Sequence, residues 1–173
     1  MKNKNILILG GNTSNNLEWI NKFTKEFQKD NKVKNIKYNH WNTDKELDFE
    51  LETNKVLNEL KEFNTYSIIA KSVGSIITLK AIKNNLIKPE NLIILGLPLM
   101  YIERKKIDIN SLLDDAITKT NILIIQQKDD PIGKYNEVTK LISKDIKVIS
   151  IPGHYHIYGN IKLIKEIINN EIK

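Results

Sequence analysis

The chain has 173 residues, a length that favours one domain able to bury its own core. Hydrophobic residues make up 40% and charged residues 28%, and cysteine is absent, which excludes disulfides and thiolate chemistry. The net charge of +6 points to a possible nucleic-acid partner, but the lysines alternate with acids and form no basic stripe interleaved with aromatic side chains. We therefore expect solvated charged faces and no nucleic-acid partner.

The first predicted element is a buried strand over Asn5–Leu9. Lysines precede it, but its apolar run is only four residues long (6–9) and leads into two glycines, which is unlike a signal peptide. No apolar stretch of the sequence approaches the roughly 20 residues that cross a membrane. We expect a cytoplasmic protein without a membrane partner.

Further strands are predicted over 35–38, 67–70, 92–95, 122–126 and 146–151. Their nearly continuous Ile and Leu content is typical of strands covered on both faces. Helical patterns of apolar residues separate them, over 17–27, 49–63, 73–81, 112–117 (with Ser111 as a possible N-cap), 135–142 and 161–172. This alternation predicts one α/β domain, a three-layer α/β/α sandwich around a parallel sheet of about six strands.

Residue types that are common in binding and catalytic sites follow four of the predicted strands, at 10–14, 71–74, 127–131 and 152–156. Ligands of open parallel sheets bind at the carboxyl ends of the strands, so we expect these four turns to share one rim. They place a serine, an acid and a histidine on that rim in the chain order Ser72, Asp130, His156, with Asp129 and His154 as neighbouring alternatives.

Ser72 follows an apolar strand and has small residues two positions away on both sides, Ala70 and Gly74. A sharp strand-to-helix turn of this kind exposes its central side chain and presents a serine hydroxyl as a nucleophile. The alternative is that Ser72 only caps the following helix, where serine is common.

These residues, together with Leu9-Gly10-Gly11-Asn12 and Pro152-Gly153, resemble the α/β-hydrolase superfamily over nearly the whole chain. The resemblance is strongest to its small lidless members, the retinoblastoma-binding-protein-9-like serine hydrolases. Ala70 replaces the glycine that the superfamily usually has there, and alanine is small enough for the turn. Gln127 replaces another frequent glycine and weakens the match of the acid loop slightly.

The resemblance implies a minimal α/β-hydrolase fold without a large lid and a Ser72–Asp130–His156 triad. It selects Asp130 over Asp129 by an Asp-Pro pattern, and His156 over His154 by its spacing from Pro-Gly. The oxyanion donors would be the backbone N–H groups of Val73 and Asn12. The reaction would be cleavage of a small ester, thioester or amide, with no cofactor and no metal.

Four further residues are candidates for contact with the substrate: Gly11, His40, Leu99 and Tyr101. Gly11 would let the backbone approach closely, and Leu99 and Tyr101 follow a strand end and would line an acyl pocket. His40 follows the second strand and would face the same rim. The alternative for His40, with Trp41, and for Leu99 and Tyr101 is ordinary packing of loops.

Other interpretations have weaker support in the sequence. His154, His156 and Asp130 would make a three-ligand zinc site, but without a second shell and without a role for the Ser72 turn. Lys71-Ser72 lacks the glycine-rich stretch of a phosphate-binding loop, and the turn at Gly10 lacks the dinucleotide fingerprint. Lys71 is therefore most simply a solvated or rim residue. The rival functions are a non-catalytic protein-binding module and a nucleotide-binding domain. A monomer and a homodimer are equally compatible with the sequence.

Overall fold

Six parallel strands form the centre of the molecule, and helices cover both faces of the sheet. The computed structural model describes residues 1–43 and 45–172. Within them the strands are β1 (Asn5–Leu9), β2 (Lys32–Ile36), β3 (Ser67–Lys71), β4 (Asn91–Leu95), β5 (Asn121–Gln127) and β6 (Lys147–Ile151), in the spatial order β2-β1-β3-β4-β5-β6. All five neighbouring pairs are parallel, which confirms the predicted sheet.

The described helices are α1 (Asn16–Phe27), α2 (Phe49–Leu60), α3 (Val73–Lys83), α4 (Leu99–Arg104), α5 (Ile109–Ile117), α6 (Tyr135–Leu141) and α7 (Ile161–Glu171), and a 3-10 helix spans Asn39–Asn42. The core side chains of α1 and α7 pack on one face of the sheet, and those of the other five helices pack on the opposite face. The predicted three-layer α/β/α sandwich is therefore confirmed.

The side chains of a strand point alternately to the two layers, as β1 shows. Ile6 and Ile8 belong to the apolar cluster under α1 and α7, whereas Leu7 and Leu9 belong to the cluster on the other face. All four are fully buried. Because both faces are covered, these strands show a continuous apolar run instead of an alternating pattern.

The second strand lies earlier than the sequence predicts. It spans Lys32–Ile36 instead of 35–38, and Tyr38 follows the strand with its ring buried. β2 is an edge strand that pairs with β1 alone. Its first residues are partly or fully exposed and only Ile36 is buried, so the strand lacks the apolar run by which the others were predicted.

Two helix predictions also need correction. Ser111 does not cap α5: the helix begins at Ile109, and the side chain of Asp108 accepts a hydrogen bond from the backbone N–H of Ser111 at 3.0 Å. The sequence also predicted a single helix between β4 and β5, whereas α4 begins four residues after β4. Six residues are too few to establish a helical period by themselves.

Because every strand runs in the same direction, the turns that follow β1, β3, β5 and β6 meet at one edge of the sheet. No lid is evident over that edge in residues 1–43 and 45–172. In the part of the chain that the structure describes, no helix combines the length and the apolar character that crossing a membrane requires.

Candidate active site

Ser72 occupies a strained turn between β3 and α3. Its φ of 54° and ψ of −124° lie outside the regions that a non-glycine residue normally adopts. The backbone N–H of Ser72 donates to the carbonyl of Leu95 at 3.1 Å, which ties the turn to β4. The Ser72 side chain makes no capping hydrogen bond to α3, so the structure gives no support to a simple N-cap.

The small residues around Ser72 allow β3 and α3 to approach the turn after β1. A Cβ atom on Gly74 would lie 2.8 Å from the carbonyl oxygen of Gly10 and 2.9 Å from Cβ of Leu9, closer than real Cβ atoms approach. Ala70 is fully buried in β3, where its methyl group is accommodated. The turn therefore requires glycine after the serine but accepts alanine before it.

Asp130 and His156 form a hydrogen-bonded pair. Nδ1 of His156 lies 2.7 Å from Oδ2 of Asp130, and the hydroxyl of Tyr158 donates to the same oxygen at 2.7 Å. The other carboxylate oxygen accepts the backbone N–H of Ile132 at 2.9 Å. Burial raises the pKa of Asp130, but the hydrogen bonds from His156, Tyr158 and Ile132 outweigh it, so the pKa lies below its ordinary value.

The neighbouring acid and histidine lie outside this pair. Asp129 is exposed, and its backbone N–H donates to Gly153. His154 is exposed and its ring packs against that of Tyr155, with centroids 4.0 Å apart. Among residues 1–43 and 45–172, no three His, Asp or Glu side chains gather as a metal would require, so this geometry gives no support to the zinc alternative.

The second ring nitrogen of His156 is available for chemistry. Because Nδ1 faces a carboxylate, it carries the proton, and Nε2 therefore has a free lone pair. Nε2 is buried and has no hydrogen-bond partner in the described residues. His156 and Ser72 line the same cavity, without a hydrogen bond between them.

Gly96 and Tyr158 hold His156 in place, and neither residue was predicted from the sequence. Gly96 follows β4 with a φ of +71°, and a Cβ atom there would lie 2.8 Å from Cε1 of His156 and 2.5 Å from Cε2 of Tyr158. Tyr158 is fully buried, and its hydroxyl also accepts the backbone N–H of Gln127 at 3.0 Å. The sequence signals were a glycine directly after a strand and a tyrosine two positions beyond the histidine.

Side chains that follow β2 hold three consecutive carbonyl groups of the turn after β1. The bonds run from Tyr38 Oη to Gly10 O (3.2 Å), from Trp41 Nε1 to Gly11 O (3.3 Å) and from His40 Nε2 to Asn12 O (2.7 Å). In a trans peptide the C=O and the following N–H point in opposite directions. The N–H of Asn12 therefore points away from Trp41, and it donates to no group that the structure describes.

His40 supports the turn after β1 and is not among the residues that line the cavity. Both ring nitrogens are engaged: Nε2 by Asn12, and Nδ1 by Oε1 of the fully buried Glu52 at 3.2 Å. The same oxygen accepts the backbone N–H of Asn39 at 2.7 Å. Since a carbonyl only accepts, Nε2 of His40 carries a proton and donates to Asn12.

A cavity of about 700 Å³ opens at this edge of the sheet. Ser72, His156, Val73, Asn12 and the predicted contacts Gly11 and Tyr101 line it. Leu99 and His40 are not among its lining residues. Leu99 is the first residue of α4, and its side chain packs against the core. Apolar and aromatic side chains supply much of the wall, namely Trp19, Pro98, Met100, Tyr101, Ile157 and Ile161.

Lys71 also lines the cavity, and only 6% of its surface is exposed. Its ammonium donates to Oδ1 of Asn16 at 2.7 Å and lies 5.5 Å from the ring centre of Trp19. Burial lowers the pKa of Lys71 from 10.5 to about 8, although the charge of Asp130 acts in the opposite direction. The prediction of a solvated or rim residue at Lys71 is wrong in its first part, because the side chain is buried in the wall of the cavity.

No protein-family model matches this sequence, and no curated protein matches it. Solved structures, in contrast, match almost the whole chain. Est1E from Butyrivibrio proteoclasticus has a TM-score of 0.75 at 16% identity, covering 98% of this chain and 86% of its own. The ydeN gene product from B. subtilis has a TM-score of 0.73 at 12% identity, covering 96% and 97%.

An uncharacterized protein from Bacillus cereus has a TM-score of 0.71 at 16% identity, and the match covers 98% of this chain but 60% of that one. Proteins of the α/β-hydrolase class are among the similar structures, including alpha/beta hydrolase domain-containing protein 10 from mouse, with a TM-score of 0.61. The chain therefore has the α/β-hydrolase fold, as its sequence resemblance implied.

Proposed function

We propose that this protein is a serine hydrolase that cleaves a small ester, thioester or amide through an acyl-enzyme formed on Ser72. The observation that carries the proposal is the Asp130–His156 pair at 2.7 Å, whose free Nε2 borders the same cavity as the strained Ser72. One of the similar structures is named as an esterase domain, from a Rhodothermus marinus protein, which favours carboxylesterase-like chemistry.

In the acylation step, Oγ of Ser72 attacks the substrate carbonyl and its proton passes to Nε2 of His156. Asp130 accepts the Nδ1–H bond throughout, so it holds the imidazole in the required tautomer and stabilises its positive charge. When the tetrahedral intermediate collapses, His156 gives the proton to the leaving alcohol, thiol or amine. The acyl group remains on Ser72.

In the deacylation step, a water molecule takes the place of the leaving group. His156 removes one proton from the water, and the oxygen attacks the acyl carbonyl. Collapse of the second intermediate returns that proton to Oγ of Ser72 and releases a carboxylic acid. The hydrogen bond between Ser72 and His156 needs to form only in the substrate complex, because catalytic hydrogen bonds are often long without substrate.

The developing oxyanion would bind the backbone N–H groups of Val73 and Asn12. Val73 is the first residue of α3, where N–H groups have no partner within the helix. The N–H of Asn12 belongs to the same peptide group as the carbonyl of Gly11, so it points away from the Trp41 side chain that holds that carbonyl. Loss of one such donor typically costs about 3–4 kcal/mol in the transition state.

A fluorophosphonate probe tests the proposal, because it reacts with an activated serine and leaves a covalent adduct. We expect intact, folded protein to be labelled at Ser72, and we expect no label in Ser72→Ala. Ser111→Ala is the matched control, since Ser111 lies on α5 and does not line the cavity. Absence of an adduct on Ser72 in folded protein would leave a non-catalytic protein-binding module as the better interpretation.

A further inference from the structure

Lys71 is a buried ammonium group for which the proposed reaction has no use. It is the last residue of β3 and directly precedes Ser72 in the chain. Only 6% of its surface is exposed, so it is 94% buried. The hydrogen-bond partner that the structure describes is a neutral oxygen, Oδ1 of Asn16. Within the described residues, no carboxylate lies within ion-pair distance of Lys71.

The nearest candidate counter-charge is already occupied. Asp130 acts on Lys71 by its charge, but both oxygens of its carboxylate accept hydrogen bonds, from His156 and Tyr158 on one side and from Ile132 on the other. An ammonium group that is removed from water without a paired anion is destabilised. The ammonium group of Lys71 therefore lies in the wall of the cavity without an anion among the described residues to balance its charge.

The rest of the cavity has the same positive character. Its charged lining residues are three cations, Lys22, Lys71 and Arg104, and one acid, Glu18. Glu18 is paired with Lys22 at 2.5 Å, and Arg104 lies over the ring of Tyr101 at 5.5 Å. Among residues 1–43 and 45–172, Lys71 and Arg104 have no ion-pair partner, so the described lining has an excess of positive charge and its single acid is already paired.

We infer that Lys71 binds a carboxylate group of the substrate, so that the preferred substrate is an anionic ester, thioester or amide. As a statement about a substrate, this rests on the proposed hydrolase function. A carboxylate accepts hydrogen bonds and carries the charge that Lys71 lacks, and charge-assisted hydrogen bonds of this kind are the strong ones. The apolar wall around Trp19 receives the uncharged part of the molecule.

A competing explanation is that Lys71 only joins β3 to α1 through Asn16. The two explanations differ in what they predict for selectivity. A purely structural lysine contributes to the stability of the fold and leaves the preference between charged and neutral ligands unchanged. A lysine that binds carboxylate sets that preference, which disappears when its charge is removed.

Binding is measured in Ser72→Ala by NMR titration with benzoate and with benzamide, which have similar shapes and differ in charge. At pH 7 we expect benzoate to bind about tenfold more tightly, as one charge-assisted hydrogen bond would give. With Lys71→Met added, the two affinities should become equal. Lys140→Met, an exposed lysine on α6 outside the cavity lining, should keep the preference.

The same preference is measured at pH 9.5 without the lysine substitution. Burial lowers the pKa of Lys71 to about 8, so most of its charge is lost at that pH while benzoate stays ionised. We expect benzoate to lose most of its advantage. This measurement decides the question even if Lys71→Met folds poorly. Equal binding of the two ligands at pH 7, or a preference that survives both the substitution and the higher pH, would overturn the inference.

The catalytic measurement compares 3-acetoxybenzoate with 3-acetoxybenzamide, which share an acetyl group, and mono(4-nitrophenyl) adipate with 4-nitrophenyl hexanoate, which share a leaving group. In at least one pair we expect kcat/KM to favour the anion about tenfold, and to do so only while Lys71 is present.

Absence of fluorophosphonate labelling at Ser72 would remove the hydrolase function, and the benzoate titration would still decide whether Lys71 is a carboxylate site. Labelling of Ser72 without any anion preference would remove only the inference about Lys71.

Discussion

Nε2 of His40 donates to the carbonyl oxygen of Asn12 at 2.7 Å, so a histidine from the second loop holds the backbone of the turn after β1. The other ring nitrogen, Nδ1, lies 3.2 Å from Oε1 of the buried Glu52. The site thus contains two histidine–acid pairs. One has a free nitrogen on the cavity, and the other has both nitrogens engaged behind the candidate oxyanion donor Asn12.

His40 is expected to affect the transition state more than substrate binding. In His40→Phe the carbonyl of Asn12 loses its donor, and the N–H of Asn12 is held less firmly toward the cavity. We expect kcat to fall about tenfold to a hundredfold, less than the full loss of an oxyanion donor, with KM changed by no more than about twofold. Steady-state kinetics with a 4-nitrophenyl ester measure both constants.

His40→Gln is the conservative partner of that variant, since its side-chain amide can donate to the same carbonyl. Partial recovery of kcat in His40→Gln relative to His40→Phe is expected. A fall in KM and kcat by equal factors, or no recovery by glutamine, would contradict a positioning role.

Ser72 and His156 should act as one unit. Ser72→Ala and His156→Ala are each expected to lower kcat by about 10⁵–10⁶-fold, because neither group is useful without the other. The double variant should be no slower than either single variant. Circular dichroism and thermal unfolding verify that all three proteins remain folded, and losses that multiply would show that the two residues act independently.

The choice of acid can be tested by two matched substitutions. Asp130→Asn keeps the size of the side chain but removes the charge that holds the imidazole, and we expect kcat to fall about 10⁴-fold. Asp129→Asn changes an exposed carboxylate and should leave kcat within about twofold, as is usual for surface substitutions. The reverse order of the two effects would move the assignment to Asp129.

Asp130 also predicts a dependence of stability on pH. Its pKa in the folded protein lies below 3.8, so the ionised carboxylate stabilises the fold above about pH 3.8, and this contribution is lost as the pH falls through the folded pKa. The difference in unfolding free energy between the native protein and Asp130→Asn should therefore shrink below pH 4. Urea unfolding at pH 3 and pH 7 measures it.

Because Lys71 is buried, we also expect the stability of the fold to rise with pH in the alkaline range. Its pKa is lowered from 10.5 to about 8, so its ammonium destabilises the fold below about pH 8, and this cost is relieved as the pH rises toward 10.5. One pKa unit corresponds to about 1.4 kcal/mol, which makes the full effect roughly 3 kcal/mol.

That effect is read from urea unfolding of the native protein and Lys71→Met between pH 7 and pH 10. Relative to Lys71→Met, the native protein should become more stable as the pH rises. Lys140→Met supplies the control, because its exposed ammonium should leave no such trend. Parallel pH profiles for the native protein and Lys71→Met would contradict a buried ammonium group.

The sequence was sufficient to predict the architecture because burial on two faces leaves a strong pattern. The run at Ile6–Leu9 and its counterparts at β3, β4 and β5 are continuous and apolar, and small residues mark the turn at Ser72. The edge strand β2 lacks that pattern, since its first residues face solvent. Its position follows from pairing with β1, which is a non-local property of the chain.

The site shows the same division. The order Ser72, Asp130, His156 is readable because each residue follows a strand on one rim. The contributions of Gly96 and Tyr158 depend on the path of the loop after β6, which brings the imidazole over a residue 60 positions earlier in the chain. The role of His40 was similarly hidden, because its ring points to the backbone of another loop.

Tyr158 connects three parts of the molecule through one side chain and one peptide group. Its hydroxyl bridges Asp130 and the end of β5, while its carbonyl accepts the indole N–H of Trp19 on α1 at 3.1 Å. Any excursion of the histidine loop must therefore break contacts with the acid loop and with a helix on one face of the sheet. Tyr158 thereby stabilises the position of the segment that follows β6 through contacts with two separate parts of the fold.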